Sequence, residues 1–455
     1  MSVASKAPNE PIASRADLID ALARGNKPKS EWRIGTEHEK FVFDVKTHLP
    51  VPHEGKNGIG ALLDKLAVRL RAERVVEDGN TIGLTLGQGA ISLEPGGQFE
   101  LSGAPLKTLH ETCTETHNHL KMLREVAEPM GIKFLGVGVA PTWRIEDVPL
   151  MPKARYRIMT PYMEKVGTLG TSMMRRTCTV QANLDFASEA DMILKMRVAL
   201  ALQPVATALF ANSPFIDGKP SGFLSTRSHI WLHTDPARSG MLPFVFENGM
   251  GFERYADYAL DVPMYFVIRD GKYVNCAGLS FRDFLAHRLP ALPGEGPTKA
   301  DWDNHLSTIF PEVRLKSYLE MRGADCGPWE EICALPALWT GILYDSEALD
   351  AAWQIVKDWT AEERQALRLA VPRTALATPF RRSTVLDVAR QIVGLAREGL
   401  KRRDNRNWED FNEEVHIAPL QMIVDSGRTQ AERLLDLYHG AWEGDLDDIF
   451  AARAY

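Results

Sequence analysis

The sequence predicts an α+β fold in which an antiparallel sheet is followed by a helical C-terminal third. Two observations support this prediction. Segments with alternating polar and apolar residues, a pattern typical of strands, are separated by short glycine-containing turns that join antiparallel neighbours. From about residue 336 to the C-terminus, the apolar residues recur instead at helical spacing. Because no repeat or flexible linker interrupts the sequence, we expect residues 1–455 to form a single domain.

The predicted elements follow one another closely along the chain. A capping box, Ser14 to Asp17, begins the first helix. Helices are then predicted at 60–72, 106–129 and 189–211, and strands at 33–43, 73–77, 81–86, 90–94, 132–139, 176–186, 225–233 and 313–322. Residues 262–277 are predicted to form a hairpin around Asp270-Gly271.

The composition excludes several classes of protein. With 45% hydrophobic and 25% charged residues, the chain resembles an ordinary globular protein. Its net charge of −7 argues against a nucleic-acid partner, which would require a clustered basic surface. The most apolar segment, 198–211, contains Gln203 and Pro204 and is too short to span a membrane, so it predicts a buried helix and no membrane partner. Five cysteines, an odd number, favour a reducing compartment.

Carboxylates occupy a single face of three predicted strands. Glu37 and Glu39 are two residues apart on the first. Glu94 and Glu100 flank a Pro-Gly-Gly turn, and Glu320 lies where charged and apolar residues alternate. Side chains alternate between the two faces of a strand, so each segment directs its carboxylates to one side. One such strand would indicate a solvated face, but the repetition with arginines nearby favours a site for Mg²⁺ and phosphate.

Other polar residues extend this candidate site. Gln181 lies on the polar face of the strand at 176–186, and Arg322 follows Glu320 by two residues. Arg227 shares a face of its predicted strand with Trp231. The two arginines are candidates for bidentate contact with a carboxylate or a phosphate.

The sequence does not indicate the common nucleotide-binding, zinc-binding or hydrolase motifs. Gly136-Val-Gly138 lies within an apolar strand and lacks the third glycine of a dinucleotide-binding turn. His110, Cys113 and His117 share a helix face, but no second cluster has the spacing of zinc ligands. The Walker A, kinase and hydrolase motifs are also missing. An ATP-using enzyme with this sequence would therefore hold phosphates through arginines and about two or three Mg²⁺ ions.

The segments that carry these residues resemble the plant-type glutamate–cysteine ligases of plants and many proteobacteria, in the superfamily of glutamine synthetase-like carboxylate–amine ligases. The resemblance covers about residues 30–345. It rests on segments 34–41, 92–105, 151–156, 176–186, 227–231, 261–266 and 318–325. It implies that the antiparallel sheet curves into a funnel that contains the active site and is surrounded by helices.

The resemblance also implies the reaction. ATP, as co-substrate, would phosphorylate the γ-carboxylate of glutamate, and the amine of cysteine would displace the phosphate to give γ-glutamylcysteine, the first intermediate of glutathione biosynthesis. Two alternatives stay open from the sequence. One is a related ligase with a different amine acceptor, and the other is a non-catalytic regulator that binds nucleotide or metal.

The resemblance implies a role for each candidate residue. The Mg²⁺ ligands would be Glu37, Glu39, Glu94, Glu100 and Glu320, with Gln181. The substrates would contact Arg227, Arg155, Tyr156, Tyr265 and Trp231, although a single tyrosine is more often a core residue. Arg322, with Glu320, would act on the transferring phosphoryl group.

Two departures from the plant pattern lead to further expectations. Ala291 stands where the partner of Cys276 would be in the plant enzymes, so that bridge should be missing, whereas Cys113 and Cys333 match a second plant pair and are candidates for a disulfide. The sequence shows no Ser-rich transit peptide, so we expect a cytoplasmic bacterial enzyme. Its oligomeric state, monomer or homodimer, stays open.

Overall fold

An antiparallel sheet forms the centre of the structure, a computed structural model that describes residues 9–455. The strands are β1 (Ile34–Asp44), β2 (Glu73–Glu77), β3 (Asn80–Leu86), β4 (Gly89–Leu93), β5 (Phe99–Ser102), β6 (Ile132–Leu135), β7 (Thr179–Leu184), β8 (Phe215–Ile216), β9 (Lys219–Pro220), β10 (Ser239–Gly240), β11 (Phe266–Arg269), β12 (Lys272–Asn275), β13 (Phe310–Pro311), β14 (Val313–Leu315), β15 (Leu319–Asp325), β16 (Pro379–Phe380) and β17 (Ser383–Thr384).

The order of strands in the central sheet places β1 in its middle. The order is β14-β15-β7-β1-β5-β4-β3-β2, and every neighbouring pair is antiparallel. The first half of β1 pairs with both β5 and β7, and its second half pairs with β6. The polar face of β1 therefore lies between the polar faces of β5 and β7.

Helices surround the sheet. They are α1 (Arg15–Ala23), α2 (Ile59–Leu70), α3 (Leu109–Ala127), α4 (Ala154–Val166), α5 (Gly170–Arg176), α6 (Glu189–Leu209), α7 (Thr226–Leu232), α8 (Phe252–Asp261), α9 (Phe281–Leu285), α10 (Lys299–Ser307), α11 (Trp329–Leu343), α12 (Ser346–Val356), α13 (Ala361–Thr374), α14 (Val385–Arg403), α15 (Ala418–Ser426), α16 (Gln430–His439) and α17 (Asp448–Ala452). Of these, α6 packs on β15, and α11 packs on β7 and β1.

The predicted buried helix, α6, is confirmed. Ser188 caps it by accepting a hydrogen bond from the backbone N–H of Asp191 at 3.3 Å. Within residues 9–455 it is the one helix long and apolar enough to cross a membrane, but 83% of that apolar stretch is buried inside the protein. Such burial is typical of a core helix in a globular fold.

The predicted fold class, with an antiparallel sheet and a helical C-terminal region, is confirmed. The helical C-terminal region begins at Trp329, somewhat before the predicted boundary near 336. Within the described chain, the short β16–β17 hairpin supplies the only strands of this region.

Two predicted strands are wrong. Residues 225–233 contain helix α7, because the Ser225 hydroxyl accepts the backbone N–H of Ser228 at 3.1 Å and caps a helical turn. The run at 313–322 is not one strand but the hairpin β14–β15, which turns where the backbone N–H of Lys316 donates to the Tyr318 carbonyl at 2.9 Å. This turn places Arg314 directly opposite Glu320.

Candidate active site

The register of the sheet brings the predicted acidic residues together. Glu39 on β1 lies directly opposite Glu100 on β5, and Glu37 lies directly opposite Gln181 on β7. Directly opposed residues project from the same face of a sheet. With Glu94, these side chains line one cavity of about 770 Å³, a volume that includes the open space at its mouth. We call this set of five residues the acidic wall.

A tight turn holds Glu94 beside the sheet. The backbone N–H of Gly97 donates to the Glu94 carbonyl, and the backbone N–H of Glu94 donates to the Gln98 carbonyl, both at 2.9 Å. A Cβ atom at Gly96 would stand 2.2 Å from the Arg175 carbonyl oxygen. Glycine at position 96 is therefore needed for the turn to approach the neighbouring segment this closely.

Neutral donors orient the carboxylates of the acidic wall. The donors are Asn183 Nδ2 to Glu37 at 2.9 Å, the Thr179 N–H to Glu39 at 2.9 Å, Ser102 Oγ to Glu100 at 2.6 Å, and Ser92 Oγ to Glu100 at 3.1 Å. Hydrogen bonds of this kind fix the direction of a carboxylate and leave its negative charge in place.

The acidic wall holds carboxyl groups close together. Burial raises the pKa of Glu39 well above its ordinary value, and the nearby Glu94 and Glu100 raise it further. Burial and the adjacent Glu100 raise the pKa of Glu94 to about 7. Within residues 9–455, no three His, Cys, Asp or Glu side chains are already gathered around one point as a metal centre. The carboxylates instead line an open cavity, and hard oxygen donors in this number suit Mg²⁺.

Arginines line the same cavity, and two of them lie on β14 and β15 of the same sheet. Arg155 on α4, Arg227 on α7, Arg314 on β14 and Arg322 on β15 all line it, and we call them the basic wall. Arg322 Nη1 donates to Gln181 Oε1 at 2.8 Å, so the two walls touch at this point. The cavity therefore offers both donors for anionic groups and oxygen ligands for cations.

Several donors around the cavity have no hydrogen-bond partner within residues 9–455. They include the buried Nε atoms of Arg155 and Arg227, and Nε1 of Trp231, which also lines the cavity. Arg227 and Trp231 are four residues apart on α7, and the guanidinium carbon lies 5.7 Å from the indole ring centre. Buried polar groups are normally paired, so donors of this kind indicate a ligand.

Glu320 does not line the cavity in this structure, and its role as a metal ligand stays a prediction. It is fully buried, and Arg314 Nη2 lies 2.8 Å from both of its carboxylate oxygens. Lys316 lies 3.4 Å away, and Arg322 also contacts the carboxylate. Burial alone would raise the pKa of Glu320, but these three cations hold it well below its ordinary value. Its carboxylate therefore anchors the basic wall in this structure.

The two tyrosines predicted to contact the substrates have different surroundings. Tyr156 lines the cavity, and its hydroxyl donates to the Leu93 carbonyl at 2.7 Å. Tyr265 is buried outside the cavity wall, where its ring packs 4.0 Å from the guanidinium of Arg238. The sequence could not reveal this contact because the two residues belong to different segments.

The cavity also contains residues that the sequence reasoning missed. They are Pro95, Gln98, Met159, Met173, Met174, Thr177, Thr179, Ser307, Phe310 and Arg314. Thr179 and Arg314 had a usable signal, since they share the strand parity of Gln181 and Glu320 in the sequence. The methionines and Phe310 had no such signal, because apolar residues at these positions cannot be told from residues of the hydrophobic core in the sequence.

Comparison with known proteins identifies the family. The model of Glutamate-cysteine ligase family 2 matches residues 33–452. The chain belongs to this family. Its relatives include the chloroplastic glutamate–cysteine ligase of Medicago truncatula, 57% identical, with the match covering 98% of this chain and 86% of the relative. The chloroplastic enzyme of Arabidopsis thaliana is also 57% identical, with 98% and 84% covered. The predicted family is thus confirmed.

A solved structure shares the fold of this glutamate–cysteine ligase family member. It is the glutamate–cysteine ligase of Francisella tularensis in complex with AMP, with a TM-score of 0.54 and 13% identity over 93% of this chain and 87% of that one. At this identity the likeness concerns the fold.

One further expectation, the compartment, needs correction. The prediction of a cytoplasmic location is wrong, because the relatives at 56–57% identity are named chloroplastic enzymes. It was based on the first residues of the sequence, which do not establish a compartment. No disulfide joins Cys113 and Cys333, since all five cysteines, each within residues 9–455, are free. The two thiols nevertheless lie within hydrogen-bonding contact.

Proposed function

We propose that this chain is a glutamate–cysteine ligase that uses ATP to join the γ-carboxylate of glutamate to the amine of cysteine, the first step of glutathione biosynthesis. The observation that carries the proposal is that the acidic wall and the basic wall line one and the same cavity. A reaction between ATP, with its polyphosphate, and two amino acids requires both kinds of surface.

The chemistry requires the γ-carboxylate to be activated. A γ-carboxylate oxygen attacks the γ-phosphorus of ATP, and the bond from that phosphorus to the bridging oxygen breaks and releases ADP. The amine of cysteine then attacks the acyl carbon of the γ-glutamyl phosphate, phosphate leaves, and the amine loses a proton. Positioning and charge neutralisation are the main demands of phosphoryl transfer, so no side-chain nucleophile is needed.

The acidic wall has the donor set for Mg²⁺. Glu37, Glu39, Glu94, Glu100 and Gln181 would hold about two or three ions, because Mg²⁺ keeps part of its water shell. Bound Mg²⁺ supplies neutralisation of the polyphosphate charge. The raised pKa values of Glu39 and Glu94 fit this assignment, since clustered carboxylates are relieved by a cation.

The basic wall would bind the anionic groups of the substrates. The unpaired Nε and the fork of Arg227 suit the carboxylate of glutamate, and Arg322 suits the equatorial oxygens of the transferring phosphoryl group. Arg155, Tyr156 and Trp231 would enclose the amino-acid substrates. Glu320 holds Arg314 and Arg322 in place from behind.

Release of ADP in the presence of glutamate and one amine at a time tests the proposal. The amines are cysteine, 2-aminobutyrate, glycine and ammonia. Cysteine should give the highest kcat/KM, with 2-aminobutyrate a slower substitute because it has nearly the same shape and no thiol. A clear preference for another amine would make the chain a related ligase. No turnover with any of them would favour a non-catalytic regulator.

A further inference from the structure

Asp325 is a buried carboxylate that the proposed chemistry does not use. It ends β15, is 1% exposed, and is not part of the cavity wall. Its Oδ2 accepts the Asn212 N–H at 2.9 Å and the Ser213 hydroxyl at 2.6 Å, and its Oδ1 accepts the Ser225 hydroxyl at 2.8 Å. Both carboxylate oxygens are thus engaged, and the side chain is held in one orientation.

The two serines connect Asp325 to the first turn of α7. Ser213 Oγ accepts the backbone N–H of Arg227 at 3.1 Å, and Ser225 Oγ accepts that of Ser228 at 3.1 Å. A hydroxyl has one hydrogen to donate. Because Asp325 takes that hydrogen from both serines, their lone pairs are left for the N–H groups of the helix, which have no partner within the helix itself.

Asp325 also acts on Arg227 through charge. The arginine side chain is 3% exposed. Burial lowers the pKa of Arg227, and among the charged groups that oppose this effect Asp325 acts most strongly.

Gly138 leaves room for the Asp325 carboxylate, because a Cβ atom at this position would stand 2.5 Å from Asp325 Cγ. The glycines of Gly136-Val-Gly138, which do not form a nucleotide-binding turn, thus include one with a packing role.

We propose that Asp325 is a positioning residue that fixes Arg227 for binding the carboxylate of glutamate, acting through Ser213 and Ser225. The inference rests on the proposed function, in which Arg227 makes that contact. Asp325 itself touches no substrate. It determines where the helix begins, and therefore where the guanidinium enters the cavity.

The first test is Asp325→Asn. The substitution keeps the volume but replaces one acceptor oxygen with an NH₂ donor that would face another donor. We expect the KM for glutamate to rise about tenfold, while the KM for ATP changes less than about twofold. Equal rises for both substrates, or no rise for glutamate, would overturn the inference.

A matched control is Asp301→Asn. Asp301 is likewise a buried carboxylate that supports the first turn of a helix, here α10. It accepts hydrogen bonds from the Thr298 N–H at 2.8 Å and from Arg269 at 3.0 Å, and it does not line the cavity. This variant should lose thermal stability and leave both KM values unchanged. It separates general destabilisation from loss of a positioned arginine.

A double-mutant cycle with Arg227→Ala separates this inference from the proposed function. If Asp325 acts through Arg227, Asp325→Asn raises the KM for glutamate no further in the Arg227→Ala background. A full additive rise there would overturn the inference. If Arg227→Ala alone leaves the KM for glutamate unchanged, the proposed role of Arg227 fails, and the inference fails with it. A rise in Arg227→Ala without one in Asp325→Asn refutes the inference alone.

A milder variant covers the case in which Asp325→Asn does not fold. Ser213→Ala removes one donor to Asp325 and the acceptor for the Arg227 N–H, but it retains the Ser225 cap. We expect a rise of about threefold to tenfold in the KM for glutamate. An unchanged value in folded Ser213→Ala would overturn the inference.

Discussion

The two walls of the cavity carry opposite charges and are held in different ways. On the acidic wall, Glu39 and Glu100 are oriented by a backbone amide and serine hydroxyls. On the basic wall, Arg314 and Arg322 are held by a buried carboxylate, Glu320. The carboxyl oxygens of the acidic wall are therefore left for a ligand, whereas the protein itself partly offsets the charge of the basic wall. The same substitution, glutamate to glutamine, should consequently have different effects on the two sides.

Glu320→Gln should have the largest effect, on stability as well as activity. It leaves three clustered cations without their anion, and breaking a buried ion pair in this way costs about 3–5 kcal/mol. We expect a lower urea midpoint with an unchanged slope, and nearly complete loss of ADP release. Glu363→Gln, which breaks an exposed pair with Arg381, should cost less than about 1 kcal/mol. Equal losses in both would show that Glu320 is no anchor.

Glu39→Gln should abolish activity without destabilising the fold. It keeps the oxygen that accepts the Thr179 N–H but removes one of several neighbouring negative charges. We expect kcat/KM to fall about 100-fold or more, a higher Mg²⁺ requirement, and an equal or higher melting temperature. The control for loss of charge alone is Glu115→Gln, because the Glu115 carboxylate lies outside the cavity. Normal turnover at ordinary Mg²⁺ would remove Glu39 from the metal-binding set.

Arg227→Lys should have an intermediate and selective effect. Lysine keeps the charge but loses the planar fork, so the KM for glutamate should rise by a factor equivalent to about 1–3 kcal/mol, with little change for ATP. The control is Arg197→Lys, which alters an arginine that donates to the Val245 and Glu247 carbonyls and does not line the cavity. Equal changes for both substrates would contradict a dedicated contact with glutamate.

Thiol chemistry should have the smallest effect, because no cysteine lines either wall in the described residues. Dithiothreitol should leave both KM values nearly unchanged. Any effect of an oxidant should disappear in Cys113→Ser, since Cys113 and Cys333 are the thiols in mutual contact. Strong activation by an oxidant that persists in Cys113→Ser would direct attention to Cys178, Cys276 and Cys326.

The acidic wall was the part of the site best predicted from the sequence. Strand parity placed Glu37, Glu39 and Glu100 on one face, and the observed pairs with Gln181 and Glu100 have that arrangement. Parity succeeds here because it depends only on local backbone geometry. Their roles as Mg²⁺ ligands stay a prediction until the variants are measured.

The basic wall was predicted less well, because its arrangement depends on turns and caps. Arg227 and Trp231 remained together when the predicted strand proved to be a helix, since residues four apart share a face in both structures. His229, which lies between them and would share their face in a strand, instead stacks on Phe223 at 3.9 Å between ring centres. Arg314 faces Glu320 only because the chain turns between them. Charged and apolar residues alternate without a break through this turn, so the turn could not be seen in the sequence.

The central position of β1 has a consequence for folding. Its partners β5, β7 and β6 come from distant parts of the chain, and β15, which completes the cavity, follows later still. Closing such long loops is slow, so the contact order of this sheet is high and its folding should be correspondingly slow. A chain emerging from the ribosome exposes Glu37 and Glu39 long before β15 is made. The complete cavity should therefore form late, although the Mg²⁺ ligands proposed on the acidic wall, of which Gln181 is the last along the chain, are all made before β15.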